Sequence, residues 1–161
     1  MSRLRVGIGV DAHGFSEGAR LVVGGVELPG EAGLAGHSDG DVVAHALVDA
    51  VLGAAGLGDI GSFFPSDEAE WEGASSLLFL ARAMAAVRGA GYELVNADCV
   101  LVGERPRIAT VRGEMEAALA GALDVGPERV SVRATTTDGL GFTGRGEGLA
   151  AQAVALLEAR Q

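Results

Sequence analysis

Apolar positions along the chain fall into short periodic runs separated by glycine- and acid-rich turns. Residues 4–10, Leu-Arg-Val-Gly-Ile-Gly-Val, alternate large apolar with small or polar side chains, the period-two pattern of a strand with one buried face. Asp11 and His13 extend the end of that strand. Residues 20–23 and 26–28 flank Gly24-Gly25, a pair that supplies the positive φ of a two-residue turn, so a small β-hairpin is expected. Ser38 and Asp39 are candidate N-caps for a helix running to about Gly56, with Val42, Val43, Ala46, Leu47, Ala50 and Val51 as its buried stripe. Asp41, His45 and Asp49, four residues apart, share another face of it.

Residues 59–72 read as a loop without a clear period. Further helices are expected over 74–88, closed by Gly89 and Gly91, and from Pro106 through Leu123. Strands are expected over 94–102, with Val95, Ala97, Cys99 and Leu101 on one face, and over 129–136. The stretch 148–160 reads as a final amphipathic helix. No repeat, low-complexity tract or linker interrupts these elements, so residues 1–161 are expected to form one domain. The class is α+β, a mixed sheet of about four main strands with helices packed on one face.

Composition narrows the chemistry. With 48% apolar residues in 161, the chain can close a single core and has no room for a second catalytic domain. Its 22 acidic against 12 basic residues give a formal charge of −10, which argues against nucleic-acid and anionic-membrane binding. All 12 cations are arginine, which excludes a phosphate loop ending in Gly-Lys and any lysine Schiff base. Cys99 is the only cysteine, excluding an internal disulfide or a cysteine-rich zinc module and pointing to a reducing compartment. The opening Met-Ser-Arg-Leu-Arg-Val runs into a strand without a signal-peptide core, and no window approaches the ~20 apolar residues of a membrane span. A cytoplasmic location is expected.

All three histidines lie between positions 13 and 45. In a strand Asp11 and His13 point to the same side, and His45 on a helix docked over the strand end would complete an Asp-His-His set. Three such ligands leave one zinc position free for water or a phosphate oxygen. The alternative is a surface His13 with His45 hydrogen-bonded to Asp41 or Asp49, carboxylates that could equally orient a ligating imidazole. The run His37-Ser38-Asp39-Gly40-Asp41 sits at a helix N-terminus, suited to an anion or simply to capping. Thr135, Thr136, Thr137 and Asp138 end a strand with oxygens suited to phosphate and a hard cation, or are ordinary strand residues. Residues 139–148 hold five glycines without dinucleotide-site spacing, and Arg145 and Glu147 there suggest an ion pair or an anion contact. Residues 103–108 form a strand-to-helix turn whose amides and guanidinium groups can read a base edge and a phosphate, or a plain surface turn.

Taken in order, Gly7-x-Gly9-x-Asp11-x-His13, His37-Ser38-Asp39-Gly40-Asp41 with His45, Asp59-Ile60-Gly61, Phe64-Pro65, Ala134-Thr135-Thr136-Thr137 and the stretch from Gly141 to Gly148 resemble the 2-C-methyl-D-erythritol 2,4-cyclodiphosphate synthase family over essentially the whole chain. The resemblance implies zinc on Asp11, His13 and His45, and transition-state stabilisation by His37 and Thr136. It also implies substrate contacts from Asp11, His13, His37, Ser38, Phe64, Thr135, Thr136, Thr137, Phe142 and Arg145. Asp59, Ile60 and Gly61, with Gly103, Arg107, Ile108 and Ala109, match segments that hold the cytidine end, and Asp49 a ribose contact. Asp138 stands where the family usually has a glutamate that binds magnesium (Mg2+ or Mn2+ accompanying the substrate diphosphate). Ser66-Asp67-Glu68 stands where the family tends to read Asp-Thr-Asp.

The implied reaction is attack of a 2-phosphate on the β-phosphorus of a cytidyl diphosphate, with CMP leaving. The family's assembly is a homotrimer with sites between subunits and sheet faces buried, Arg145 and Glu147 lying near the threefold axis. A zinc-dependent phosphohydrolase and a non-catalytic nucleotide-binding module are the alternatives, distinguished by release of free phosphate and by metal-independent CMP binding.

Overall fold

The computed structural model describes residues 3–161; Met1 and Ser2 of the opening stretch lie outside the described residues. In chain order the elements are β1 (Leu4–Gly14), a hairpin of β2 (Val22–Val23) and β3 (Val26–Glu27), α1 (Val42–Ala55), the single-turn α2 (Ile60–Phe63), α3 (Ser76–Gly89), β4 (Tyr92–Val102), α4 (Arg112–Leu123), β5 (Val130–Thr135), the single-turn α5 (Gly141–Gly144) and β6 (Gly148–Ala159). Four strands form one mixed sheet in the order β1-β6-β4-β5: β6 is antiparallel to both neighbours, and β4 runs parallel to β5.

The helices cover one face of this sheet. α1 lies on β1 and β6, α3 packs against α1, and α4 against β5. The contact of α1 with β1 is close because two glycines allow it. A Cβ at Gly9 would sit 1.8 Å from the Ala46 carbonyl oxygen, and one at Gly7 would sit 2.1 Å from that of Ala50. On the other face of β1, Val6, Ile8 and Val10 are 69%, 59% and 63% exposed, an apolar stripe with no cover in the single chain.

Several expectations change. The segment read as a C-terminal helix is β6, the strand between β1 and β4. Its alanines favour helix locally, but Leu149, Ala151, Ala153, Ala155 and Leu157 are buried at strict period two, and ladder pairing on both edges overrides propensity. In β4 a register shift between Leu94 and Asn96 turns Leu94 inward and Val95 only half-inward, while Ala97, Cys99 and Leu101 face the core as expected. α4 starts at Arg112 rather than at Pro106, after an irregular segment that anchors Ile108 in the core. Residues 59–72 are not all loop. Asp59 and Ser62 form a reciprocal capping box on α2, and a 3-10 turn spans Ala69–Trp71. The hairpin is present, with Gly24 and Gly25 at φ 58° and 77°.

α1 begins at Val42 with Asp41 as N-cap, in place of Ser38 or Asp39. Its buried stripe holds as expected, and Ala44, Val48, Leu52 and Ala54 join it because the helix is enclosed by sheet, hairpin and α3. Burial pushes the Cys99 thiol up to about 12, so it is an inert core residue. Among the described residues no helix is long and apolar enough to cross a membrane.

Candidate functional site

The alternation of β1 sets the site. Gly7, Gly9, Asp11 and His13 share the face turned to α1, so where the glycines stop the strand presents a carboxylate and an imidazole beside the first turn of the helix. His45 reaches them from that turn. Asp11 Oδ2 lies 2.8 Å from His13 Nε2 and 3.2 Å from His45 Nδ1, and the two ring nitrogens are 3.3 Å apart. One ligand atom from each lies within 4.8 Å of the others, the one cluster of this kind among the described residues.

Burial alone would raise the Asp11 pKa, but the bonds and charges of His13 and His45 outweigh it and hold the carboxyl at about 2. The bond to Asp11 in turn raises His13 above its ordinary 6.5. An ionised carboxylate and two imidazoles converging on one point, without a thiolate, are donors suited to a borderline cation such as zinc. All three line a cavity of about 470 Å³.

Asp41 and Asp49 do not orient His45. Asp41 is fully buried beneath the hairpin turn, where it accepts the amides of Gly24 (2.9 Å), Gly25 (2.6 Å) and Ala44 (3.0 Å). Burial pushes its pKa up to about 6. Asp49 turns its Oδ1 to the Ile60 amide at 2.8 Å, and burial raises its pKa as well. His45 Nε2 instead faces Ser76 Oγ at 2.8 Å and Ser38 Oγ at 3.0 Å. Ser76 escaped the sequence reading because its meeting with His45, 31 residues away, is purely tertiary.

Of the expected site residues, Asp11, His13, His37, Ser38, His45, Ile60, Gly61 and Phe64 line this one cavity. His37 Nε2 lies 3.2 Å from the Glu68 carbonyl oxygen at its rim. Two lining aromatics were not foreseen: Phe79 stacks on Phe64 at 4.6 Å between centroids, and Trp71 meets both edge-on. Asp59 caps α2 behind Ile60 and Gly61.

The remaining expected residues gather elsewhere. Gly103 N donates to the Thr135 carbonyl at 3.0 Å, and Thr136 Oγ1 donates to the Glu104 carboxylate. Thr137 Oγ1 bonds the Leu140 carbonyl at 2.6 Å, and the Asp138 amide donates to Thr136 Oγ1 at 3.0 Å. Ile108 is a core side chain, while Arg107, Ala109 and Asp138 are accessible. Arg145 pairs with Glu147 at 2.9 Å, as the spacing suggested, and Phe142 is exposed on the same turn. None of these lines the cavity of Asp11, His13 and His45. A second cavity of about 530 Å³, walled by Phe15, Glu31, Arg105, Thr143 and Leu149, shares no residue with the Asp11-His13-His45 cluster.

Residues 4–158 match the model of the YgbB family. The curated 2-C-methyl-D-erythritol 2,4-cyclodiphosphate synthase of Rubrobacter xylanophilus is 56% identical over 161 residues, covering 98% of this chain and 97% of that protein. Among solved structures, the bifunctional IspDF of Campylobacter jejuni superposes with a TM-score of 0.93 at 41% identity, over 97% of this chain and 42% of that one. The CDP complex of IspF from Plasmodium falciparum superposes with a TM-score of 0.86 at 28% identity over the whole of both chains.

Proposed function

The chain belongs to the YgbB family, and on that premise we propose that it converts 4-diphosphocytidyl-2-C-methyl-D-erythritol 2-phosphate to 2-C-methyl-D-erythritol 2,4-cyclodiphosphate and CMP, a phosphorus–oxygen lyase step of non-mevalonate isoprenoid synthesis. The observation that carries this reading is the convergence of Asp11, His13 and His45 on the wall of a cavity that His37 and Ser38 also line. In-line phosphoryl transfer asks for positioning and charge neutralisation more than for a protein nucleophile.

Asp11, His13 and His45 would hold zinc and Asp138 would serve magnesium or manganese, the cations supplying the positive charge that polarises the β-phosphate and neutralises leaving CMP. The chain's own residues do the rest. His37 and Ser38 hold the 2-phosphate in line with the β-phosphorus. Ile60, Phe64, Phe79 and Trp71 pack on the carbon skeleton and keep water from competing as nucleophile. Gly103, Arg107, Ile108 and Ala109 offer backbone and guanidinium groups to the cytosine and phosphates. Thr136 steadies the transferring phosphoryl group, with Thr135 and Thr137 beside it.

These two groups of residues sit on different parts of one chain, and a homotrimer supports their union. The stripe of Val6, Ile8 and Val10 supplies an apolar face for three copies to bury, so that Thr136 of one subunit completes the cavity of its neighbour. Phosphorus NMR of the cytidyl substrate with zinc and magnesium tests the reaction. The expected products are CMP and a cyclic diphosphate; inorganic phosphate would identify a phosphohydrolase instead.

A further inference from the structure

Ser76 opens α3, is fully buried, and does not line the cavity. Its hydroxyl nevertheless touches the site: Oγ is 2.8 Å from His45 Nε2 on one side and bonds the Asp39 carboxylate Oδ1 on the other. A serine hydroxyl carries one proton. Asp39, as a carboxylate, can only accept, so that proton goes to Asp39 and the lone pairs of Ser76 Oγ face His45. The imidazole must then donate from Nε2, which leaves Nδ1 as the nitrogen it offers to a metal. Nδ1 is the nitrogen turned toward Asp11 Oδ2 at 3.2 Å and His13 Nε2 at 3.3 Å.

Asp39 cannot readily swing away from this role. Its Oδ2 accepts the Ser76 amide at 2.9 Å, its Oδ1 accepts the Asp41 amide at 3.1 Å, and its own amide donates to the Ala74 carbonyl at 3.1 Å. One turn along α3 from Ser76, Phe79 lies against the His45 ring with centroids 6.2 Å apart, so the helix holds the imidazole both by hydrogen bond and by packing. Ser38 Oγ also lies near His45 Nε2, at 3.0 Å, but among the described residues it has no carboxylate to take its proton.

We propose that Ser76, aligned by Asp39, is the positioning residue that fixes the Nε2–H tautomer of His45 for metal binding, and that this frees the Ser38 hydroxyl to donate to a phosphate oxygen in the cavity. The two serines thus divide the work: Ser76 faces the ligand's far nitrogen, Ser38 the substrate. The inference rests on the reading of Asp11, His13 and His45 as a metal site.

The test uses the full-length protein. Zinc affinity is read by competition with a chromophoric chelator, and the His45 tautomer in the zinc-free protein by long-range ¹⁵N–¹H NMR. Ser76→Ala keeps the amide bond to Asp39 but removes the acceptor. It is expected to weaken zinc binding by about 10- to 100-fold, the usual cost of losing an outer-shell partner, and to lose the uniform Nε2–H state. Ser76→Thr restores both. Asp39→Asn, which gives the Ser76 proton a weaker acceptor, shifts both readouts less and in the same direction, and it serves even where the alanine variant fails to fold. Ser38→Ala leaves tautomer and zinc affinity in place while raising KM for the cytidyl substrate. An unchanged tautomer and zinc affinity in Ser76→Ala, or in Asp39→Asn if the former is unfolded, overturns the proposal. A parent protein that fails to bind zinc, or an Asp11→Ala variant that binds it equally well, overturns the metal site itself.

Discussion

The Asp41 carboxylate accepts the Gly25 amide at 2.6 Å, so the residue that caps α1 also closes the turn between β2 and β3. With the Gly24 and Ala44 amides on its other oxygen, Asp41 joins the hairpin to the helix that carries His45. Replacing it by alanine strands three amides where water has little access. We expect Asp41→Ala to lose on the order of 3 kcal/mol, combining a lost cap with unpaired buried donors. Urea unfolding at fixed protomer concentration measures this; a loss below about 1 kcal/mol, the worth of an ordinary cap alone, would show that water reaches the turn.

The ligand cluster titrates in opposite senses for folding and for metal binding. His13 is raised above 6.5 by its bond to Asp11, so in the zinc-free protein that pairing is fully present below pH 6.5 and is lost as pH rises through the raised value. Asp11, held at about 2, stays ionised throughout and adds no slope. Zinc must displace the His13 proton, so its affinity climbs with pH over the same interval and then levels off. Melting curves between about pH 5.5 and 8.5, the range in which histidine titrates, should show zinc-free stability falling and the zinc-induced gain growing. A zinc-induced gain independent of pH would remove His13 from the ligand set.

Assembly is tested on β1. Ile8 is exposed in the single chain, where a glutamate costs little, but in a trimer that buries this stripe the same carboxylate enters an apolar interface. Ile8→Glu should therefore remain folded by circular dichroism and bind zinc, yet sediment as a smaller species than the parent protein, which is expected to be a trimer, and lose cyclisation. A parent that is a fully active monomer, or a variant that stays trimeric and active, contradicts a shared site.

How far the sequence could be read depended on whether the information was local. The period of β1, the paired glycines of the hairpin and the apolar stripe of α1 are local, and the structure follows them. β6 was misread because alanine and leucine at positions 149–157 satisfy a helical pattern as readily as a strand pattern, and the choice is made by β1 and β4 on either side. The Asp-x-His spacing placed Asp11 and His13 on one face of a strand from sequence alone. The partner of His45 could not be read, since Ser76 meets it only when α3 docks on α1. The carboxylates that looked available at helical spacing, Asp41 and Asp49, are spent on backbone amides instead.

Asp138 is where reach and backbone oppose each other. It follows β5 at φ 53°, in the left-handed region that aspartate adopts more easily than most residues, and Gly139 continues at φ 80°. Its carboxylate is one methylene, about 1.5 Å, shorter than the glutamate usual in the family, whereas magnesium requires oxygens at ~2.1 Å in a strict octahedron. If Asp138 serves magnesium as proposed, a bridging water would make up the shortfall at least cost, because magnesium commonly keeps several waters. Asp138→Glu should then need the same or less magnesium for half-maximal CMP release, while losing roughly 1 kcal/mol of stability to a left-handed backbone less suited to the longer side chain. Asp138→Ala should raise the magnesium requirement several-fold and leave zinc content unchanged, since the residue lies outside the Asp11-His13-His45 cluster. Magnesium titrations of the three proteins at saturating zinc decide the point: if Asp138→Ala matches the parent, the carboxylate serves only the turn.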